Sequence, residues 1–130
     1  MSHDSQAANH SPVTLVNVFE VPTEHVDVFI AQWRERAALM STKPGFLETR
    51  LHRALSSQTR FQLVNVARWE SPEAFEAGTA DPEFRQRASV ATADPRVSAH
   101  AALYQVAAEF FGLAPDDHRA PRPPANLDPS

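Results

Sequence analysis

Two asparagines occupy the same local sequence: Leu-Val-Asn-Val stands at residues 15–18 and again at 63–66, around Asn17 and Asn65. An amide among β-branched residues is costly to bury unless it finds hydrogen-bond partners. Such an amide can donate to a substrate carbonyl or phenolate, and donors aimed at developing oxyanion charge are the largest typical catalytic contribution. The competing use is structural, each amide serving neighbouring backbone or the other asparagine. Asn17 and Asn65 are the first candidates for a site.

His52 is a candidate of another kind. It lies in an alternating stretch, FLETRLHRA at 46–54, and alternation places it with Phe46, Glu48 and Arg50. An imidazole that titrates near neutrality can act as general base toward a phenol or an acidic ring carbon. Arg50 could hold a substrate enolate, or pair with Glu48. Trp33, Trp69 and Phe75 read first as core, yet planar walls also suit a flat aromatic substrate. Tyr104 carries a hydroxyl that needs a partner if buried.

Several chemistries are excluded. There is no cysteine, hence no disulfide, thiolate nucleophile or thiolate metal site. The glycines (Gly45, Gly78, Gly112) stand alone, so no Gly-rich phosphate loop exists. No histidine pair has helical ligand spacing, and no metal or cofactor is expected. A formal net charge of −4 gives no basic footprint for nucleic acid. No apolar run approaches the roughly 20 residues of a membrane span. Residues 1–11 lack the basic and apolar regions of a signal peptide, so a soluble cytoplasmic domain is expected.

These residues must be positioned by the elements around them. A chain of 130 residues fits one domain. Residues 1–11 are polar and 112–130 are rich in proline, so both ends are expected to be disordered tails around a domain at 12–111. Within it, VTLVNVFEV at 13–21 reads as a strand closed by Pro22. A helix follows with Thr23 as its N-cap, and Val26, Phe29, Ile30, Trp33, Ala37 and Met40 form its apolar stripe. Residues 46–54 and 61–69 (FQLVNVARW) read as a hairpin with a loop of several residues. Ser71-Pro72-Glu73 and Asp81-Pro82-Glu83 each start a short helix. A last strand is expected at 102–110. The order β-α-β-β-α-β is the α+β, ferredoxin-like split βαβ plan with an antiparallel four-stranded sheet.

That plan puts both asparagines on the two central, antiparallel strands. By period two, Leu15, Asn17 and Phe19 share one face, as do Leu63, Asn65, Ala67 and Trp69. Val16, Val18, Val64 and Val66 make the other face apolar too. One helix layer covers only one face, so a homodimer with its sheets packed face to face is expected.

Taken together, VNVFEVP around Asn17, KPGFLETRLHR at 43–53, FQLVNVARWESPEAFEA at 61–77 and DPEF at 81–84 resemble the antibiotic biosynthesis monooxygenase family of dimeric α+β barrels. The resemblance runs from about residue 13 to residue 110. It implies a pocket between sheet and helices into which Asn17 projects. The family includes cofactor-free oxygenases of anthrones and quinols, and haem-degrading enzymes. The haem-degrading branch places a Trp three residues after the Phe matching Phe75, and a haem-ligating His about a dozen residues after it. Gly78 and about Ala88 stand there, with no histidine between His52 and His100.

The resemblance therefore implies a cofactor-independent monooxygenase acting with O2 on a phenolic, quinol or anthrone-like aromatic. In that reading Asn17 and His52 are catalytic, and Asn65, Trp33, Trp69, Phe75, Arg50 and Tyr104 bind substrate. The alternatives are a non-redox polyketide cyclase or isomerase, and a non-catalytic dimer that binds haem or another flat ligand.

Overall fold

The computed structural model describes residues 11–113. The tails expected at 1–11 and 112–130 lie, but for their inner ends, outside the described residues. The elements follow in the order β1 (Val13–Glu20), α1 (Val26–Met40), β2 (Phe46–Arg53), β3 (Leu63–Trp69), α2 (Pro72–Thr79), α3 (Pro82–Ala91) and β4 (Ser98–Tyr104). The strands form a single antiparallel sheet in the order β2-β3-β1-β4. This is the ferredoxin-like arrangement, with the two Leu-Val-Asn-Val strands at its centre.

Local chemistry sets most boundaries. Pro22 cannot extend the β1 ladder, and its carbonyl accepts from His25 N–H at 2.8 Å to close a 3-10 turn over Thr23–His25. Thr23, expected as the N-cap, lies inside this turn and its side chain caps nothing. Ser71 does cap α2, its hydroxyl accepting from Ala74 N–H at 3.1 Å. Asp81 caps α3 by accepting from Glu83 and Phe84 N–H and also pairs with Lys43. That pair ties the end of α1 to the start of α3. It holds the Asp81 carboxyl below its ordinary range, Lys43 contributing most and the two backbone donors next. Between them Gly45 adopts φ 85°, and a Cβ there would fall 2.4 Å from the Ala74 methyl. Only glycine satisfies both demands.

The last strand corrects the sequence reading. Its ladder runs from Ser98 opposite Glu20 to Tyr104 opposite Thr14, so β1 dictates where it starts and stops. Residues 105–110 alternate suitably for a strand but have no partner strand among the described residues beyond the end of β1.

The helices cover one face of the sheet. On it the β1–β3 register pairs Val13 with Trp69, Leu15 with Ala67, Asn17 with Asn65 and Phe19 with Leu63. The buried core forms two groups. Phe19, Val21, Val26, Phe29 and Leu63 cluster at one end, and Val13, Met40, Ala67 and Trp69 at the other. The asparagine pair sits between them in the register. Each fully buried large side chain, such as Phe29 or Leu63, contributes about 1.5–3 kcal/mol.

Candidate active site

Asn17 and Asn65 are direct partners across β1 and β3, so their side chains leave the sheet together on the helix face. Thr49, next door on β2, donates its hydroxyl to Asn65 Oδ1 at 2.5 Å. With its oxygen engaged, Asn65 presents its NH2 end as the available donor. Asn17 is complementary: its Oδ1 is buried and accepts no hydrogen bond. One amide thus offers a donor and its neighbour an acceptor.

Both asparagines line a cavity of about 140 Å³ between the sheet and the helices. A space of this size is close to one known to hold a benzene molecule, and well below the several hundred Å³ of typical drug-sized sites. It admits one aromatic ring; a larger substrate must protrude from it.

Trp33, Trp69 and Phe75 also line the cavity. Trp69 is held edge-on by Phe46, at 5.2 Å between ring centroids, and by Phe75 at 5.9 Å. Its far side is closed by Gly78, where a Cβ would come within 2.6 Å of the indole. Glycine at 78 lets α2 approach the indole closely, and no side chain fits there with Trp69 in this position. Ala88 on α3 lines the same cavity with a methyl group.

The structure does not bring His52, Arg50 or Tyr104 to this site. In the ladders His52 lies opposite Val64, Arg50 opposite Val66 and Tyr104 opposite Thr14, all on the face without helices. His52 and Arg50 instead border a groove along the β2 edge, with Ile30, Arg34 and, from the cavity lining, Trp33 and Thr49. Arg50 pairs with Glu48 at 3.2 Å. The expected grouping of His52 with Phe46 also fails. A bulge between Phe46 and Glu48 turns Phe46 to the helix face and leaves Glu48, Arg50 and His52 on the other.

Thr49 and one charged cavity residue escape the sequence reading. Arg36 is only 7% exposed and lines the cavity from α1. Its Nη1 is buried without a hydrogen-bond partner, and the guanidinium stacks 5.4 Å above the Phe29 ring. Burial pushes its pKa below the ordinary value, though a guanidinium stays charged at neutral pH. The sequence does hold a signal. Phe29, Trp33, Arg36 and Met40 step by four, three and four, so a cation occupies a core position of the stripe. Among the described residues no other lining residue is ionisable, so they give the cavity a fixed cation and no side-chain base.

An antiparallel ferredoxin-like sheet with an aromatic, amide-bearing cavity under its helices defines the class: a ferredoxin-like α+β domain. The family description for antibiotic biosynthesis monooxygenase matches residues 12–88, and the chain belongs to that family. The mycobilin-producing haem oxygenase of Mycobacterium tuberculosis is 32% identical over 77 residues, 59% of this chain and 71% of that protein. SnoaB of Streptomyces nogalater, a cofactor-independent oxygenase, superposes with a TM-score of 0.63 at 26% identity, covering 76% of this chain and 96% of that one. A protein of Shewanella loihica, provisionally described as a monooxygenase, gives a TM-score of 0.61 at 31% identity, covering 76% and 97%. No described helix is long and apolar enough to cross a membrane.

Proposed function

We propose that this protein is a cofactor-independent monooxygenase that oxidises a phenolic, quinol or anthrone-like aromatic with O2. The observation that carries this reading is the facing pair Asn17–Asn65 inside an aromatic cavity of one-ring size. Its similarity to SnoaB supports the same chemistry. The substrate is its own reductant. Once deprotonated, its electron-rich ring carbon adds O2 to give a hydroperoxide. The O–O bond then breaks, one oxygen leaving as water and the other remaining as a carbonyl, so a CH2 and O2 become C=O and H2O.

In this scheme Asn65, its oxygen held by Thr49, donates to the substrate oxyanion, and Asn17 accepts from a neighbouring substrate hydroxyl. Trp33, Trp69 and Phe75 flank the ring and keep water away. His52 stands on the wrong face to serve as base. An aerobic assay with quinol and anthrone substrates tests the reading: oxygen uptake should match quinone formed. Absence of uptake above background, or uptake unaltered in Asn17→Ala, would sink it.

A second reading, a haem-binding dimer, is favoured by the 32% identity to the mycobacterial haem oxygenase. Against it stand the Ala88 methyl, which cannot ligate iron, and the Trp69 ring filling the space beside Gly78. A haem titration decides: a saturable Soret shift supports it and an unchanged spectrum excludes it. In either reading we place the protein in the cytoplasm as a homodimer. The half-buried valines Val16, Val18, Val64 and Val66 on the open sheet face support the dimer.

A further inference from the structure

A buried cation needs a reason. Arg36 has no acidic partner among the described residues, although six other arginines make ion pairs within 4 Å (Arg50, Arg53, Arg60, Arg68, Arg87 and Arg96). The acids that share a groove with it are taken. Glu35 on α1 and Glu83 on α3 share a surface groove with Arg36, but both bind Arg87, at 3.0 and 2.8 Å. Gln32, one turn earlier, also has a buried Oε1 without a partner, which could take one N–H but no charge. Among the described residues, the faces of the cavity built by the sheet and α2 present Asn17, Asn65, Thr49 and Thr79 and no acidic side chain. An uncompensated buried charge costs stability, and stacking on Phe29 offsets only part of that cost.

We propose that Arg36 makes this cavity an anion site, and that the ligand is a single-ring-sized aromatic bound through an ionised oxygen, phenolate, enolate or carboxylate. The inference rests on the oxygenase reading only for the identity of the ring, not for its charge. Three complementary groups converge on such a ligand: the Arg36 cation, the Asn65 donor and the unpaired Asn17 acceptor. An oxyanion satisfies Arg36 and Asn65, and an adjacent hydroxyl satisfies Asn17. The arrangement also replaces the missing base. A phenol bound beside a fixed cation loses its proton more readily, the proton passing to water, so the substrate arrives at its reactive form without a side chain to accept it. Arg36 is thereby the residue that selects ionisable aromatics over neutral ones.

The test uses 4-nitrophenol, whose yellow phenolate reports its own ionisation, with benzoate and neutral nitrobenzene beside it. Binding to the full chain is followed by absorbance and calorimetry under nitrogen across a pH series. Bound 4-nitrophenol should ionise about one pH unit or more below the free compound. Arg36→Met should abolish that shift and weaken nitrophenolate about 10- to 100-fold, while leaving nitrobenzene binding unchanged or tighter. Whichever of nitrophenolate and benzoate depends more strongly on Arg36 identifies the anion as phenolate or carboxylate. Arg36→Met should also melt no lower than the parent, because an unpaired buried cation is replaced by an apolar side chain. Should that variant not fold, Arg36→Lys carries the test by retaining the ionisation shift with weaker binding. The proposal is overturned if the probe binds in its neutral form, or if Arg36→Met keeps both affinity and shift. Because no turnover is measured, the anion site can stand where oxygen chemistry fails. Conversely, oxygen uptake undiminished in Arg36→Met would leave the oxygenase without the anion site.

Discussion

The two faces of the sheet share strands but not chemistry. The helix face carries Asn17, Asn65 and Trp69 around a cavity with one cation and no base. The open face carries His52, Arg50 and Tyr104 around a valine surface. Because neighbouring residues of a strand point in opposite directions, Asn17 and Val18, or Asn65 and Val66, belong to different environments. What a residue type could do therefore matters less than its parity in the strand. A histidine on the open face is chemically remote from a ring bound under the helices.

The sharpest way to break this contrast is to compare Asn65→Ala with His52→Ala in one oxygen-uptake assay. The first should lower kcat about 100-fold or more, the scale for removing a group that steadies developing charge. The second should change it less than about twofold, as an exposed residue away from the site does. A reversal of that order would return catalysis to the open face.

Next in size is the open face itself. Val66→Lys puts a charge in the middle of the valine surface and should raise the dimer dissociation constant at least about 100-fold, with the circular dichroism spectrum unchanged. Light scattering reads the outcome; a parent protein that is itself monomeric removes the dimer proposal.

Much of this division is legible in the amino-acid sequence. Period two places Leu15, Asn17 and Phe19 together and matches them to Leu63, Asn65, Ala67 and Trp69, because β1 and β3 run without irregularity. It fails on β2, where the bulge before Glu48 shifts Phe46 to the other face. No residue type between 46 and 48 announces that bulge. Arg36 escapes for another reason: a stripe read for apolar residues skips the one charged residue that completes its spacing. The start of β4 is hidden because Ser98, Ala99, His100 and Ala101 have little strand preference of their own, and β1 recruits them by pairing.

A smaller effect probes how tightly the helix face is packed. Gly78→Ala adds a methyl group 2.6 Å from the Trp69 ring and should cost about 1–3 kcal/mol in urea unfolding. In an unobstructed helix the same change stabilises by up to about 1 kcal/mol. The sign of the measured change therefore reports whether α2 rests on Trp69.

The smallest effect comes from the opposite extreme of arginine chemistry. Arg96 is exposed and fully partnered, binding Asp94 at 2.8 Å and Glu24 at 3.1 Å, and these contacts raise its pKa where burial lowers that of Arg36. Its hydrogen bonds to Asp94, from side chain first and backbone second, hold that carboxyl down at about 2 against an ordinary 3.8. A depressed carboxylate stabilises the fold above its unfolded pKa, and the contribution fades as pH falls from about 3.8 to about 2. The pair lies in solvent, so the amount is small. Asp94→Asn should therefore be slightly less stable than the parent at neutral pH and indistinguishable from it near pH 2. An Asp94 carboxyl that titrates at its ordinary value by NMR would show that the pair does not hold in solution. The turn into β4 would then lack the link between Asp94, Arg96 and Glu24.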